Sequence, residues 1–390
     1  MLISSLLGVR KILDMSVEIK PISTKRDIRR FVDFANELYK DCPNYCPPLY
    51  GDEVDTFDIK KNPVFDVAEC QLFLAIRDGK IVGRVAALIN YRANEHWGVK
   101  KVRFGWIDFI DDMEVSRALL DAVAQWGKQK GMDTLNGPVG FTDLDHEGLL
   151  IEGFEYLAPL ASLYNYPYYE KHMEAYGLTK ENDWIEIQIQ TPDECPERIA
   201  RVAQIAAKRG HYSVAKVHNV KELLKRFGYS YFDVIDECYQ QLYNFQPLTD
   251  RQKEYYSKYY FSILNFDFVT LVVNEKDEIV GFGIGMPDIS EAVKKCGGKL
   301  FPWGWYHILK ALKAKQIEHF DLLLIGVRPD LQGSGINAII IADQFPYFKK
   351  YGIKTVETTS IMETNTKNQA NWFMFPHKIH KRRRAYAKNI

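Results

Sequence analysis

The sequence has no surplus of either charge: 51 Lys and Arg stand against 51 Asp and Glu in 390 residues. Nothing global therefore draws the chain to nucleic acid, so binding through its basic C-terminus is disfavoured and any anion site must be local. Cysteine is sparse too. The six (Cys42, Cys46, Cys70, Cys195, Cys238, Cys296) are scattered, and only Cys42 and Cys46 are close. No second pair completes a zinc site, so no metal is expected and the thiols read as reduced and cytosolic. Apolar runs are all broken by charge well before about 18 residues, which leaves no transmembrane candidate. The opening MLISSLLGVRKILDM is too short to span a bilayer and has no signal-cleavage site. It reads as a short interfacial helix or as sequence upstream of a true start at Met15. A cytoplasmic protein is expected.

What is present fits an ordinary globular chain, 46% hydrophobic and 26% charged, long enough for two domains. An internal repeat organises it. Residues 70–91 and 267–288 each read as strand, tight turn, strand, with Lys80-Ile81-Val82-Gly83 opposite Glu278-Ile279-Val280-Gly281. A further apolar strand follows each (103–110 and 321–327), then a helix-period segment ending in Lys and Gly (113–131 and 334–352), then another strand (132–139 and 353–361). A strand, a crossover helix and a following strand imply parallel pairing. Helical sequence precedes each hairpin, around 24–40 in the first half and around 196–209, 219–227 and 249–263 in the second. The stretch from Thr191-Pro192 to Pro196 is the natural boundary. The expected architecture is α/β, with repeats at 15–192 and 193–390 and a helical insertion at 289–320.

The most informative stretch is LLLIGVRPDLQGSGINAIIIADQF (322–345). A strand ends at Val327, a loop holds Gln332-Gly333-Ser334-Gly335, and an amphipathic helix begins. Free backbone N–H groups at a helix start, backed by the helix dipole, suit a diphosphate. Gly333 and Gly335 let that backbone come close to an anion. The loop is neither a Walker loop, since no Gly-Lys-Ser/Thr follows, nor the dinucleotide G-x-G-x-x-G.

V-R-P-D-L-Q-G-S-G-I resembles the coenzyme A-binding signature of the GNAT acyltransferase superfamily, V-x-P-x-x-[RQ]-x-x-G-x-[GA]. Val327, Pro329, Gln332 and Gly335 match it; Asn337 stands where that family has Gly or Ala. The resemblance implies two tandem GNAT-like repeats, each a mixed, mostly antiparallel sheet with a parallel β-α-β core and flanking helices. It implies acetyl-CoA or another acyl-CoA as co-substrate. Amides of Gln332, Gly333, Ser334, Gly335, Ile336 and Asn337 would hold the pyrophosphate, and the backbone of Gly326 and Val327 the pantetheine. The first repeat lacks this loop and has Asp111-Asp112 in its place, where carboxylates repel phosphate; a structural or substrate-shaping role is expected there.

The family's second motif, an Asn-started helix and a last strand, is similar to residues 165–189 and 363–388. In the second half the usual tyrosine is missing at its spacing, where Trp372, Phe373 and Phe375 stand; Tyr386 on the closing strand is the substitute. Residues 137–178 also resemble a bacterial group of double-repeat GNAT-like proteins, some implicated in N-acylating long-chain sphingoid amines. The resemblance covers about residues 60–190 and 265–390.

In a GNAT-type reaction an amine attacks the thioester directly, and the enzyme supplies proximity, a base and an oxyanion donor. Base candidates are Glu357 and Glu363, although each reads more readily as a solvated or salt-bridged carboxylate. Asn365 and Asn371 are candidates to orient substrate, against the ordinary role of Asn as a helix cap. His377 and His380 have helical spacing for a metal pair but no visible third ligand. The Lys381–Arg384 run reads as a solvated edge strand. The insertion combines aromatics with a basic amphipathic helix, as a lid over an acyl chain, a lipid-headgroup surface or a plain helical excursion. The function expected is transfer of an acetyl or longer acyl group to an amine-bearing small molecule or lipid, with peripheral membrane contact. The rival is a non-catalytic acyl-CoA-binding or scaffolding protein.

Overall fold

Apolar residues run almost continuously through both hairpins, and each hairpin forms two antiparallel strands buried on both faces for much of their length. A computed structural model describes residues 16–259, 261 and 264–390; the opening segment, with the question of Met15, lies outside the described residues. In the first half the order is β1 (Glu18–Ile22), α1 (Lys25–Leu38), α2 (Tyr50–Thr56), β2 (Ala68–Arg77), β3 (Lys80–Asn90), α3 (Tyr91–Trp97), β4 (Lys101–Phe109), α4 (Met113–Gln129), β5 (Thr134–Gly137), β6 (Leu149–Glu152), α5 (Tyr168–Ala175) and β7 (Thr179–Gln190). Asp78 and Gly79 both take positive φ, 51° and 74°, as the tight hairpin turn requires. Asp112 caps α4, its carboxylate accepting from the N–H groups of Glu114 and Val115.

The second half repeats the plan with additions. It runs α6 (Glu197–Gly210), β8 (Ser213–Ala215), α7 (Val220–Phe227), α8 (Ser230–Tyr239), α9 (Asp250–Tyr259), β9 (Val269–Val273), β10 (Ile279–Pro287), α10 (Ser290–Lys295), α11 (Gly304–Leu312), β11 (His319–Val327), α12 (Ile336–Tyr351), β12 (Thr355–Thr358), β13 (Ile361–Met362), α13 (Thr366–Trp372) and β14 (His377–Asn389). The expected parallel pairs are β4 with β5 across α4, and β11 with β12 across α12. On β10, glycines let α12 lie close to the sheet. A Cβ on Gly281 would sit 2.6 Å from Ile336 Cγ2, and one on Gly283 2.5 Å from Ile340 Cγ2. Overpacking of this kind costs about 1–3 kcal/mol.

All strands join one sheet, in the order β1-β2-β3-β4-β5-β14-β7-β12-β11-β10-β9-β8, with β6 and β13 pairing off this path. The two halves exchange their closing strands. The last strand of the chain, β14, pairs with β5 of the first half, while β7 pairs with β12 of the second. β14 and β7 also pair with each other along nearly their whole length.

This overturns the expectation of a solvated edge for the basic run. Lys381 and Arg383 are each 1% exposed in the middle of the sheet. Arg383 Nε donates to Glu186 Oε1 at 2.5 Å, Lys381 Nζ reaches Glu357 Oε1 at 2.5 Å, and Arg384 pairs with Asp183 at 2.8 Å. Charges leave water only when paired, and each of these has a carboxylate partner.

Candidate functional site

The loop after β11 begins with a 3-10 turn at Pro329–Leu331 and reaches α12 through two glycines with positive φ, Gly333 at 82° and Gly335 at 91°. These leave four peptide N–H groups outside the helix ladder, whereas the amides of Gln332 and Ser334, expected among the free donors, are paired with Pro329 O at 3.4 Å and Leu331 O at 3.2 Å in the 3-10 turn. The first α12 amides with an acceptor are those of Ala338 and Ile339, both donating to Gly335 O. Among the described residues no acceptor is placed on the N–H groups of Gly333, Gly335, Ile336 or Asn337. Gln332, Gly333 and Ser334 are exposed, so the loop end of the group is open to solvent, while Gly335 and Asn337 are half-buried and Ile336 is buried. A helix start with unpaired donors and no side-chain cap is an anion site in form. The space at Gly333 is open: a Cβ there would meet nothing within 4 Å. Gly335 has a second reason to be glycine, since a Cβ there would come 2.8 Å from Ala206 Cβ on α6.

Helix α13 flanks the same loop, which the sequence did not foretell. Lys367 Nζ donates to Gln332 Oε1 at 3.3 Å, and Asn337 Nδ2 donates to Asn371 Oδ1. Asn371 thus ties α13 to the start of α12 and Lys367 brings a cation beside the free amides. Asn365 instead caps α13, accepting from Asn368 N–H at 3.1 Å.

Below the loop the sheet opens. β11 pairs with β12 only from His319 to Leu322, whereas its pairing with β10 continues to Val327. Thr359 holds the fork, its N–H donating to Leu322 O at 3.1 Å and its hydroxyl to Leu323 O at 2.9 Å. Beyond it the β12 side of Leu324–Val327 has no strand partner among the described residues. β12 and β13 turn away along β7. Gly326 lets α8 approach the open strand, because a Cβ there would lie 3.0 Å from Cys238 Sγ and 2.6 Å from the Phe282 ring. The neighbouring Tyr239 hydroxyl donates to Ile325 O at 3.3 Å. Burial pushes this phenol well up, so it holds its proton at neutral pH.

At the last rungs before the fork, Asp321 and Glu357 stand directly opposite each other on parallel strands. Their side chains share one face, away from Phe320 and Val356, which pack under α12. With Thr358, Thr359, Pro159 and Ala161 they line a crevice to which the first half contributes the 159–161 segment. Burial, then the charges of Asp288 and Glu357, hold the Asp321 carboxyl well above the ordinary range, so it carries a proton. Glu357 has Lys381 at 2.5 Å and His380 Nε2 at 3.2 Å. Burial alone would raise the neighbouring Glu186, but Arg383 and Lys381 outweigh it and bring its carboxyl below the usual value. Glu186, Glu357 and His380 converge like metal ligands, yet the Lys381 ammonium already sits among them. His377 is not of this group; its Nδ1 lies against Phe375 O.

A second set of carboxyls comes from the first half. Burial pushes Asp143 up to about 7 and Glu147 well above its ordinary value, the latter accepting from Asn244 Nδ2 at 2.9 Å. Asp143 is close enough to feel the charge of Asp236 on α8, and its own charge reaches Tyr239.

Two sequence candidates are carried elsewhere. The strand exchange takes Tyr386 to the first half, 1% exposed in the core with Tyr169, and its register partner is Gly137. It does not meet the open loop. Glu363 is held by ion pairs to Lys180 at 2.5 Å and Arg382 at 3.6 Å. The missed residues are Asp321, Tyr239 and Lys367. An isolated Asp among the apolar residues of HFDLLLIGV was the available signal for the first.

No protein-family profile matches the chain. Protein YghO of Escherichia coli K12 is 29% identical over 387 residues, which is 95% of each chain. The bacterial ceramide synthase of Caulobacter vibrioides is 28% identical over 329 residues, covering 82% of each. Among solved structures, a tandem GNAT protein from the clavulanic acid biosynthesis pathway superposes with a TM-score of 0.55 at 10% identity, over 96% of this chain and 98% of that one. The chain has the tandem GNAT fold.

Proposed function

We propose, from this tandem fold, that the protein is an acyl-CoA-dependent N-acyltransferase acting on a lipid-like amine in the cytoplasm. The observation that carries the reading is the row of free amides at Gly333, Gly335, Ile336 and Asn337, opening beside the forked end of β11. These amides, with Gln332, Ser334 and Lys367 around them, would hold the pyrophosphate, and the open backbone of Gly326 and Val327 the pantetheine. The bound acyl-CoA supplies an activated thioester. The likeness to a bacterial ceramide synthase supports an amine acceptor attached to a long chain. Residues 193–390 carry the donor site in this reading, and residues 15–192 shape the acceptor side.

The chain's own groups fit direct attack. Glu357, on the crevice face at the fork, is the proposed base that takes the ammonium proton as the amine nitrogen bonds to the acyl carbon. Tyr239 is the proposed acid that protonates the departing thiolate, in place of Tyr386. Burial keeps the Asp321 carboxyl well above its ordinary range, which limits like-charge repulsion on the crevice face.

The test is a thiol-release assay on the full chain with acetyl-CoA and palmitoyl-CoA and a panel of sphingoid and soluble amines, with products identified by mass spectrometry. Amine-dependent thiol release is expected, and Glu357→Gln should lower turnover about 100-fold, within the usual range for a lost acid–base group. Coenzyme A binding without thiol release on any amine would favour the non-catalytic reading, to which the displacement of Tyr386 from the cradle lends weight.

A further inference from the structure

The insertion between β10 and β11 leaves its aromatic residues outside the core. Phe301 is 81% exposed and Trp303 71%, with Trp305, Tyr306 and Leu309 between 41% and 53%. Five large apolar side chains in nine residues form a patch that a protein in water ordinarily covers. The α11 helix is two-faced. Gly304 and Ile308 turn inward, while Trp305, Tyr306 and Leu309 turn outward, as the 3.6-residue period dictates.

The charge along this segment has one sign. From Lys294 to Lys315 the chain has six lysines and no Asp or Glu, although its overall balance is zero. Lys295, Lys310, Lys313 and Lys315 are exposed, and none has a carboxylate partner among the described residues. Trp and Tyr favour the boundary between hydrocarbon and water, and lysine heads reach anionic groups while their stems lie on apolar surface. Exposed aromatics ringed by unpaired lysines complement a membrane surface carrying negative headgroups. A protein partner would have to bring both an apolar pocket and an acidic rim; an anionic bilayer has both by composition.

The inner side of the insertion leads to the site. Ile308, Ile289 and Val293 pack with Leu323 beside the fork of β11 and with Leu157 and Leu160 of the first half. Leu160 N–H donates to Ser290 Oγ at 3.0 Å, tying α10 to the segment that borders the Asp321–Glu357 crevice. The exposed patch and the crevice therefore share one small apolar wall.

We propose that the 294–315 insertion is an interfacial docking element that seats the protein on anionic lipid bilayers. This goes beyond the acyl-transfer reading and can stand or fall without it. The test is flotation of the full chain with vesicles of phosphatidylcholine alone or with phosphatidylglycerol, at low and high salt. Three proteins are compared: wild type, Phe301→Ser/Trp303→Ser, and Lys310→Gln/Lys313→Gln/Lys315→Gln. All the altered side chains are exposed, and unchanged circular dichroism and melting would verify the fold.

Wild type should float with phosphatidylglycerol vesicles, weakly with phosphatidylcholine, and less as salt rises. Each variant should lose about tenfold or more in partitioning, the serine pair at any salt and the glutamine triple chiefly on anionic vesicles. Wild type that stays in solution with anionic vesicles at low salt would overturn the proposal, as would variants that float like wild type. If light scattering shows a wild-type dimer that Phe301→Ser/Trp303→Ser makes monomeric, and no vesicle binding, the patch is a self-association face and the membrane reading fails.

Discussion

A single exposed carboxylate, Ser334→Glu, separates an anion cradle from an ordinary helix start. Ser334 is exposed and precedes Gly335, beside the unpaired amides of Gly335, Ile336 and Asn337. Unlike Gly335, whose Cβ would strike Ala206, it can take a larger side chain without moving α6. Without ligand, a carboxylate at the positive end of α12 should stabilise the fold by about 0.3–1 kcal/mol. At about 2–4 °C per kcal/mol for a unit of this size, the apo melting temperature rises by roughly 1–3 °C.

With ligand the sign reverses. Coenzyme A at about 100 times its dissociation constant adds roughly 2.7 kcal/mol, a shift of about 5–10 °C for wild type. The new carboxylate opposes the pyrophosphate; a loss of about 2 kcal/mol, conservative for charges about 5 Å apart near a surface, is roughly 30-fold in affinity. At the same ligand concentration the variant then gains only about 0.9 kcal/mol, or roughly 2–3 °C. Differential scanning fluorimetry with and without coenzyme A reads both numbers. A folded Ser334→Glu protein with an undiminished ligand shift would refute the placement of the site, whatever its apo stability.

Three further outcomes follow from the geometry. Tyr239→Phe removes the hydroxyl at Ile325 O from a pre-existing packing position, so turnover should fall about 100-fold with KM little changed, and steady-state kinetics would separate the two. Arg383→Ala leaves Glu186 buried without its 2.5 Å partner and should cost about 3–5 kcal/mol in urea unfolding. Because the native environment lowers Glu186, its stabilising contribution is present above the ordinary carboxylate range and lost as pH falls through its native value. Glu186→Gln should accordingly flatten the acid limb of stability below about pH 4.

The parts of the site written locally were legible. A strand running into Gln332-Gly333-Ser334-Gly335 and then a helix specifies the loop within a few residues; the amides of Gly333 and Gly335 are left without an acceptor, while those of Gln332 and Ser334 close the 3-10 turn, a pairing the sequence pattern does not show. The repeat was legible for the same reason, since hairpins, capped helices and strand-helix-strand units are short-range patterns. The strand exchange was not. β7 and β14 both alternate like half-buried strands, and nothing in the chain near Tyr386 says that its neighbour is Gly137. A hint lay in W-I-E-I-Q-I, where Glu186 interrupts an apolar run and needs a buried cation. Lys381 and Arg383 are that cation pair, and only pairing across 195 residues or more brings them together. Tyr239 was hidden because its role depends on Gly326 letting α8 close on a strand far along the chain.

The exchanged strands also fix the order in which a growing chain can finish. When residue 190 leaves the ribosome the first half still lacks the neighbour that β5 will have, because that neighbour is His377–Asn389, beyond the whole of the second half's other strands. Asn136, whose amide donates to Tyr386 O at 3.1 Å, must wait 250 residues for its partner. Insertion of that one strand completes the N-terminal part of the sheet and seals its junction with the other half. A chain stopped short of residue 377 would be left unfinished at its beginning.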